Sequence, residues 1–390
     1  MKIVLVCWGS MCEPALENSI KRLGYDCLLY NKTGNDMDYD RDCLMELASI
    51  LQNTNDILCV LSLNYIPIVS RACKPFRTPY LSLTADCPCT KLNSKTIEYE
   101  HNRIFLFDRL QTEKYQKYNP DNIHYLTLAS DVSIWDKIEI SEADHQKYDC
   151  DISFVGSLYT EKCTYNEIEN VLSDYTKGYI EGIVNAQQNV YGYNFIEDSL
   201  SKDIIESFQK ELNILSSNDD YYDDMSGYLA DLFIGYKCTE QERINTISAI
   251  SKYFNMDLYT NSDASMLPNV NYRGIADTNT EMPKIFKCSK INLNTTNRAI
   301  KSGIPLRIFD IMGCGGFVIS NYQPEIPEYF IPDTDIVLYD SIGDLLEKID
   351  FYLKNDSPRE QIARNGYEKV KTLHTFDNRL QQMLTTSGII

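Results

Sequence analysis

Nothing in this sequence approaches the roughly 18 consecutive apolar residues that a membrane-spanning helix needs, and no secretory signal pattern precedes the first strand-like run. No membrane span is therefore expected, and the chain reads as a soluble protein. Positive charge is also scarce: 37 Lys and Arg stand against 56 Asp and Glu, a net charge of −19. That balance argues against a general binder of nucleic acid or of an anionic membrane surface, because both partners are themselves polyanions. Any nucleotide must be held by local features. Histidine is limited to four residues, and no Ser/His/Asp or Cys/His spacing suggests a hydrolase. The 13 cysteines are scattered without a short disulfide frame, which points to reduced thiols and a cytoplasmic setting. Cys87-Pro88-Cys89 has no second paired motif to complete a ligand set, so no metal is expected. A G-x-G-x-x-G turn is missing after the first strand, where Trp8-Gly9-Ser10-Met11-Cys12 stands instead, which argues against a dinucleotide site there.

What is present reads as alternating strands and helices. A chain of 390 residues, 43% apolar and 24% charged, has ordinary globular composition but exceeds what one core usually organises, so two domains are expected. Residues 2–8 (KIVLVCW) form a buried strand, and strand-like runs recur at 25–30, 57–63, 79–83, 103–107 and 123–128. Helical patterns at 13–23, 42–52 and 66–73 separate them, which implies a parallel, doubly wound sheet. Residues 130–148 are polar and without clear period, which puts the end of this N-terminal domain at about 149. Residues 151–157 (DISFVGS) open a second sheet in a domain spanning 150–373. From about 165 to 254 the pattern is helical, with no strand signal of comparable strength, and reads as an insertion. Short strands then resume at 256–259, 270–274 and 337–339. Ser357-Pro358-Arg359-Glu360 reads as a helix start, and residues 374–390 hold a terminal helix.

The most informative stretch is residues 288–330. Lys290-Ile291-Asn292-Leu293-Asn294 is a strand end, residues 295–303 supply turn and cap residues, and 304–312 place apolar side chains at helical spacing. Gly313-Cys314-Gly315-Gly316 stops that helix, and Phe317-Val318-Ile319-Ser320 is a buried parallel strand followed by Asn321-Tyr322-Gln323-Pro324-Glu325. In open α/β sheets ligands sit outside the carboxyl ends of strands, where helix N-termini present N–H groups to anions. This loop-helix-strand-loop unit is the candidate ligand site.

LRIFDIMGCGGFVISN, the upstream SKINLN, the earlier DISFVGS and the later HTFDNRL, in that order, resemble bacterial glycosyltransferases of the spore-maturation-protein (CgeB-like) type, with GT-B architecture. The resemblance covers roughly the C-terminal 240 residues. It implies two Rossmann-like domains, the first serving the acceptor and the second a nucleotide sugar, with the terminal helix returning to the first domain. It implies a nucleotide-diphosphate sugar as co-substrate, a UDP-sugar first among them, and a glycan or protein as acceptor. In related enzymes a carboxylate inside this helix holds the donor ribose, and Asp310 matches that position. A second glutamate, eight residues earlier, contacts the transferred sugar in those enzymes; here Ser302 stands in its place. The Gly156-Ser157 turn matches the place where relatives bring backbone and a basic residue to the diphosphate, with Lys162 the nearest cation.

The donor site expected on these grounds comprises Gly156, Ser157, Lys162, Asn294, Ser302, Gly303, Ile304, Arg307, Asp310 and Asn321, with Glu325 near the sugar. Arg307 lies three residues before Asp310, so the two either meet one ligand or pair with each other. A helix N-terminus and an arginine can stabilise the leaving diphosphate without a metal. The resemblance suggests a retaining hexosyltransferase-like reaction; an inverting one would need a base. Asp86, at a strand end of the first half, is the candidate. Asp108, also at a strand end, reads equally as a helix cap. Asp36-Met37-Asp38 and the acidic run at 219–224 read as solvated loops, and His374 as structural. The alternatives are an inactive GT-B-like partner protein, which the Ser302 substitution favours, and a two-lobed solute-binding protein, which the missing signal sequence disfavours.

Overall fold

The computed structural model describes residues 1–32, 36–214 and 219–390. The chain divides into two units. Unit 1 comprises residues 1–129, 216–224 and 374–390, and unit 2 comprises 130–215 and 225–373. Part of the expected helical insertion, residues 215–218, lies outside the described residues.

Unit 1 holds a parallel sheet of six strands: β1 (Lys2–Cys7), β2 (Asp26–Asn31), β3 (Ile57–Leu63), β4 (Tyr80–Thr84), β5 (Asn102–Leu106) and β6 (Ile123–Tyr125), in the order β2-β1-β3-β4-β5-β6. Val4, Val6, Val60, Tyr80, Ile104 and Leu106 are fully buried from these strands, the mark of a parallel sheet covered on both faces. The helices Glu13–Arg22, Arg41–Asn53, Pro67–Cys73 and Arg109–Gln116 connect them. Asp108 caps the last of these, accepting from the Gln111 N–H at 2.9 Å, so of its two readings the structure supports the cap. The terminal helix Phe376–Thr386 belongs to this unit, held by Arg22 on Asp377 at 2.6 Å and by Arg379 on the Thr127 carbonyl at 2.7 Å. His374 is buried against the Arg379 guanidinium, as its structural reading requires.

The acidic run at 219–224 departs from the sequence reading. Asp220 pairs with Arg71 at 3.3 Å, Asp224 with Lys114 at 2.7 Å, and the Tyr221 hydroxyl donates to Asp38, which also pairs with Lys91 at 2.5 Å. Tyr221 forms an antiparallel bridge with Ser94. These carboxylates have cationic partners more than a hundred residues earlier, which local composition does not reveal.

Unit 2 holds a second parallel six-stranded sheet: β7 (Cys150–Val155), β8 (Met256–Tyr259), β9 (Asn271–Gly274), β10 (Ser289–Asn294), β11 (Val318–Asn321) and β12 (Val337–Tyr339), in the order β12-β11-β10-β7-β8-β9. Residues 130–148 are not structureless: the helices Val132–Trp135 and Glu142–Tyr148 form there, the second closed by a Ser141/Asp144 capping box. Between β7 and β8 come the helices Tyr165–Ile168, Asp174–Gln187, Lys202–Glu211, Met225–Tyr228 and Tyr236–Ser251, with a π-helical turn at Leu229–Gly235. They bury their own cluster, including Ile180, Val184, Phe208, Phe233 and Cys238. The helix after β10 begins later than its apolar spacing implied: Pro305 is the N-cap and the helix is Leu306–Gly313. Gly315 then turns the chain at φ 80°, and a Cβ on Gly316 would lie 2.8 Å from the Phe286 carbonyl. All 13 cysteines are free thiols.

Candidate functional site

In unit 2 the chain passes from β7 outward to β8 and β9, then returns to the other side of β7 as β10 and continues to β11 and β12. Strand order therefore reverses between β7 and β10, and the crevice outside the carboxyl ends of those two strands is the switch point where such sheets bind ligands. Three loops meet along that edge: 156–162 after β7, 295–305 after β10 and 322–325 after β11.

Arg243, from the helix Tyr236–Ser251, joins the first two loops. Its Nη1 donates to the Ser157 carbonyl at 2.5 Å and its Nη2 to the Thr295 carbonyl at 2.7 Å. The guanidinium lies 4.8 Å from the Tyr159 ring and 5.5 Å from the Phe154 ring. Burial depresses its pKa, and among the described residues no carboxylate lies within ion-pair distance of it. Its Nε and the Thr295 hydroxyl are both buried without a hydrogen-bond partner. A half-buried cation bonded to carbonyl oxygens, with an unused buried donor, has the composition of a site for an anion. Sequence reasoning missed Arg243. The available signal was a charge on the apolar face of a helix, in line with Thr239, Thr246, Ile247 and Ile250.

The expected residues fall into three groups. Gly156 and Ser157 form the turn after β7, with the Ser157 hydroxyl accepting from the Tyr159 N–H and donating to Glu161, both at 2.7 Å. Lys162 is exposed, its Nζ 5.3 Å from the centre of the Tyr159 ring. Asn294 and Asn321 are buried and brace the loop after β10. Asn294 donates to the Ser320 hydroxyl at 2.9 Å, and Asn321 accepts the Thr296 N–H at 2.7 Å. Ser302, Gly303 and Ile304 lie in the loop ahead of the Pro305 cap. Ser302 donates to a carboxylate oxygen of Glu325 at 2.6 Å, and the Glu325 N–H donates back to the Ser302 carbonyl at 3.3 Å. The structure thus brings together two positions that lie 23 residues apart, and Glu325 sets a buried carboxylate beside the serine.

Asp310 is buried in the helix Leu306–Gly313, and burial pushes its carboxyl up to about 6 although Arg307 draws it down. The Arg307–Asp310 pair is loose, 3.4 Å from Nη1 to Oδ2, and Arg307 also contacts the Met282 sulfur and the Phe286 ring. A tight core ion pair would have lowered the carboxyl; this one does not offset its burial. Asp86 belongs to unit 1, exposed at the carboxyl end of β4, where Asn64 donates to it at 2.6 Å. Cys87 and Cys89 belong to no group of metal-capable side chains among the described residues.

The insertion grips the loop after β10. Arg298 forms a buried pair with Glu242, at 2.6 and 3.0 Å, and donates to the Val190 carbonyl at 3.0 Å. Its N–H bonds the Thr239 hydroxyl at 2.9 Å, which in turn reaches Asn297 at 3.1 Å. Lys301 pairs with Glu197.

Solved structures share this architecture. A glycosyltransferase from Rickettsia africae ESF-5 superposes at a TM-score of 0.55 with 11% identity, covering 100% of this chain and 98% of that one. A sucrose-phosphate synthase from Thermosynechococcus elongatus gives 0.52 and 11%, with coverage of 99% and 98%. HepE from Anabaena in complex with UDP-glucose gives 0.52 and 10%, with both chains covered in full. The fold is GT-B. Residues 243–385, a segment that starts at Arg243 and includes the loop after β10, Asp310 and Glu325, match a family described as glycosyl transferase-like. No curated protein sequence matches this chain.

Proposed function

We propose that the protein transfers a sugar from a nucleoside-diphosphate donor held at the unit 2 switch point to a glycan or protein acceptor. The observation that carries this reading is Arg243, a cation with an unused buried donor where the loops after β7 and β10 meet. Its guanidinium suits a diphosphate, whose charge grows as the sugar leaves, and with Lys162 it supplies the stabilisation a divalent ion gives elsewhere. Asp310 holds the donor ribose, and Glu325 beside Ser302 supplies the carboxylate near the transferred sugar that the serine position lacks. UDP is the preferred carrier, a choice supported by the UDP-glucose bound to Anabaena HepE. The reaction is retaining, with the leaving phosphate taking the acceptor proton. Unit 1 serves the acceptor, and Asp86 would act as base were the outcome inverting. Thirteen free thiols suit a cytoplasmic enzyme of glycan biosynthesis or protein glycosylation, in line with the spore-maturation-type motifs.

The test is a thermal-shift screen of nucleoside diphosphates with and without chelator, followed by donor turnover. One base is expected to stabilise the protein irrespective of chelator. Glu325→Gln should keep nucleotide affinity while lowering kcat by roughly 100-fold or more, the scale of a lost catalytic carboxylate. A screen with no stabilising nucleotide removes the donor reading; stabilisation without any transfer or donor hydrolysis turns the protein into a binding partner.

A further inference from the structure

At the amino-terminal ends of β7, β8, β9 and β10, the edge of the unit 2 sheet opposite the switch point, lies a polar pocket of about 650 Å³. Its lining includes His145, Asp149, Asp151, Asp257, Cys288 and Lys290. Among the described residues, His145, Asp149 and Cys288 are the one group of three metal-capable side chains whose donor atoms all lie within 4.8 Å of one another. His145 and Asp149 are one helical turn apart, with Nδ1 and Oδ1 2.9 Å apart, and Cys288 is the last residue of the helix Met282–Cys288.

The two helices that carry these donors are braced against each other. Lys284 pairs with Asp144 at 2.8 Å, Lys147 with Glu281 at 2.8 Å, and the Tyr148 hydroxyl donates to Glu281 at 2.8 Å. The cations around the pocket are engaged by groups other than the three donors. Lys290 pairs with Asp151 at 2.7 Å, Arg273 with Asp257 at 3.0 Å, and Lys287 donates to the Trp135 and Ile138 carbonyls, both at 2.8 Å.

We propose that His145, Asp149 and Cys288 form a site for a zinc-like divalent transition-metal ion, with a fourth position left to water. An imidazole, a carboxylate and a thiolate select such an ion over magnesium or calcium, which take oxygen ligands. Tetrahedral zinc, at about 2.0–2.3 Å from its ligands, sets donor atoms about 3.3–3.7 Å apart, so side chains already within 4.8 Å need move only about 1 Å. One thiolate and one carboxylate neutralise the ion's charge. Bound metal would tie the helix Glu142–Tyr148 to the helix Met282–Cys288 and stabilise unit 2, with no part in sugar transfer.

The test uses the full chain, free of any affinity tag and stripped with chelator, titrated with zinc and with cobalt. The expected result is one ion per chain, a raised melting temperature, and a cobalt spectrum with a thiolate charge-transfer band and the intense visible absorption of tetrahedral coordination. Cys288→Ser should abolish the charge-transfer band. His145→Ala should weaken binding by at least roughly 10-fold, the scale of damage to a metal site's ligand shell. Both changes fall on side chains at least partly open to solvent, and both variants should keep the metal-free melting temperature and the stabilisation by nucleotide. Absence of saturable uptake, a charge-transfer band that survives Cys288→Ser, or uptake indifferent to His145→Ala would each overturn the site.

Discussion

The strand order of the two sheets reverses at different places, and different groups occupy each reversal. In unit 1 the switch point lies between β1 and β3, and the chain fills it with its own groups. Glu13, at the N-terminus of the first helix, accepts the Trp8 N–H at 2.7 Å and the Gly9 N–H at 3.2 Å, and the Trp8 indole donates to the Leu63 carbonyl at 2.8 Å. A carboxylate thus sits on N–H groups that in a nucleotide-binding sheet would receive phosphate. In unit 2 the equivalent place holds an arginine with an unused buried donor and no carboxylate partner among the described residues. One switch point is satisfied internally; the other keeps a buried donor unused.

The largest effect is expected from breaking what holds the open switch point in shape. Arg298→Met leaves Glu242 buried without its partner, which should cost about 3–5 kcal/mol of stability in chemical denaturation. Nucleotide affinity should fall as well, because the loop after β10 loses its anchor. A loss below about 1 kcal/mol would show that the insertion merely rests on the loop. Arg243→Met comes next and acts on binding: calorimetric affinity for the preferred nucleoside diphosphate should drop roughly 100-fold, about 3 kcal/mol. Stability without ligand should move by only about 1 kcal/mol, since two lost hydrogen bonds are partly offset by removing a half-buried charge. Normal affinity in this variant would erase the distinction between the two switch points.

Much of this arrangement was legible because it is local. The strand Val337–Tyr339, the glycines ending the helix Leu306–Gly313 and the lone carboxylate Asp310 on that apolar helix all announce themselves within a few residues. The unit 2 switch point is not local. It depends on β7 pairing with β10, Ile152 opposite Ile291, across an insertion that carries Arg243 in from a third place in the chain. The partnership of Ser302 with Glu325 was hidden for the same reason, and so were the ion pairs of the run at 219–224. Pro305 shows a different failure, in which apolar spacing continued across a cap and made the helix seem to start early.

Asp310→Asn sharpens the open site from within. The carboxyl stands near 6 in the folded chain against 3.8 in the ordinary case, so between those values the folded state binds more protons than the unfolded one. Stability from this group is therefore present below about pH 4 and lost as pH rises through 6, by at most about 3 kcal/mol. The asparagine should flatten that slope and raise stability near neutral pH by about 1–3 kcal/mol, while nucleotide affinity falls roughly 10- to 150-fold with the charge-assisted ribose bond. Denaturation across this pH range, together with calorimetry, checks both. A mutant less stable by about 3–5 kcal/mol would instead mean that Arg307 depends on this carboxylate.

The smallest effect should come from the closed switch point. Glu13→Gln keeps an oxygen to accept the Trp8 and Gly9 N–H groups but removes the charge that favours a helix N-terminus. The expected loss of stability is about 0.5–1.5 kcal/mol, on the scale of a charge-assisted bond made neutral. Nucleotide affinity and stoichiometry should stay those of the parent chain, one site, because the anion position in unit 1 remains filled by the side-chain amide. Glu13→Ala empties it. If these N–H groups are only a satisfied helix start, inorganic phosphate will leave the melting temperature of the alanine variant where it was. If phosphate restores the lost stability, unit 1 retains an anion site that Glu13 blocks, and the two switch points differ by one side chain rather than by design of the sheet.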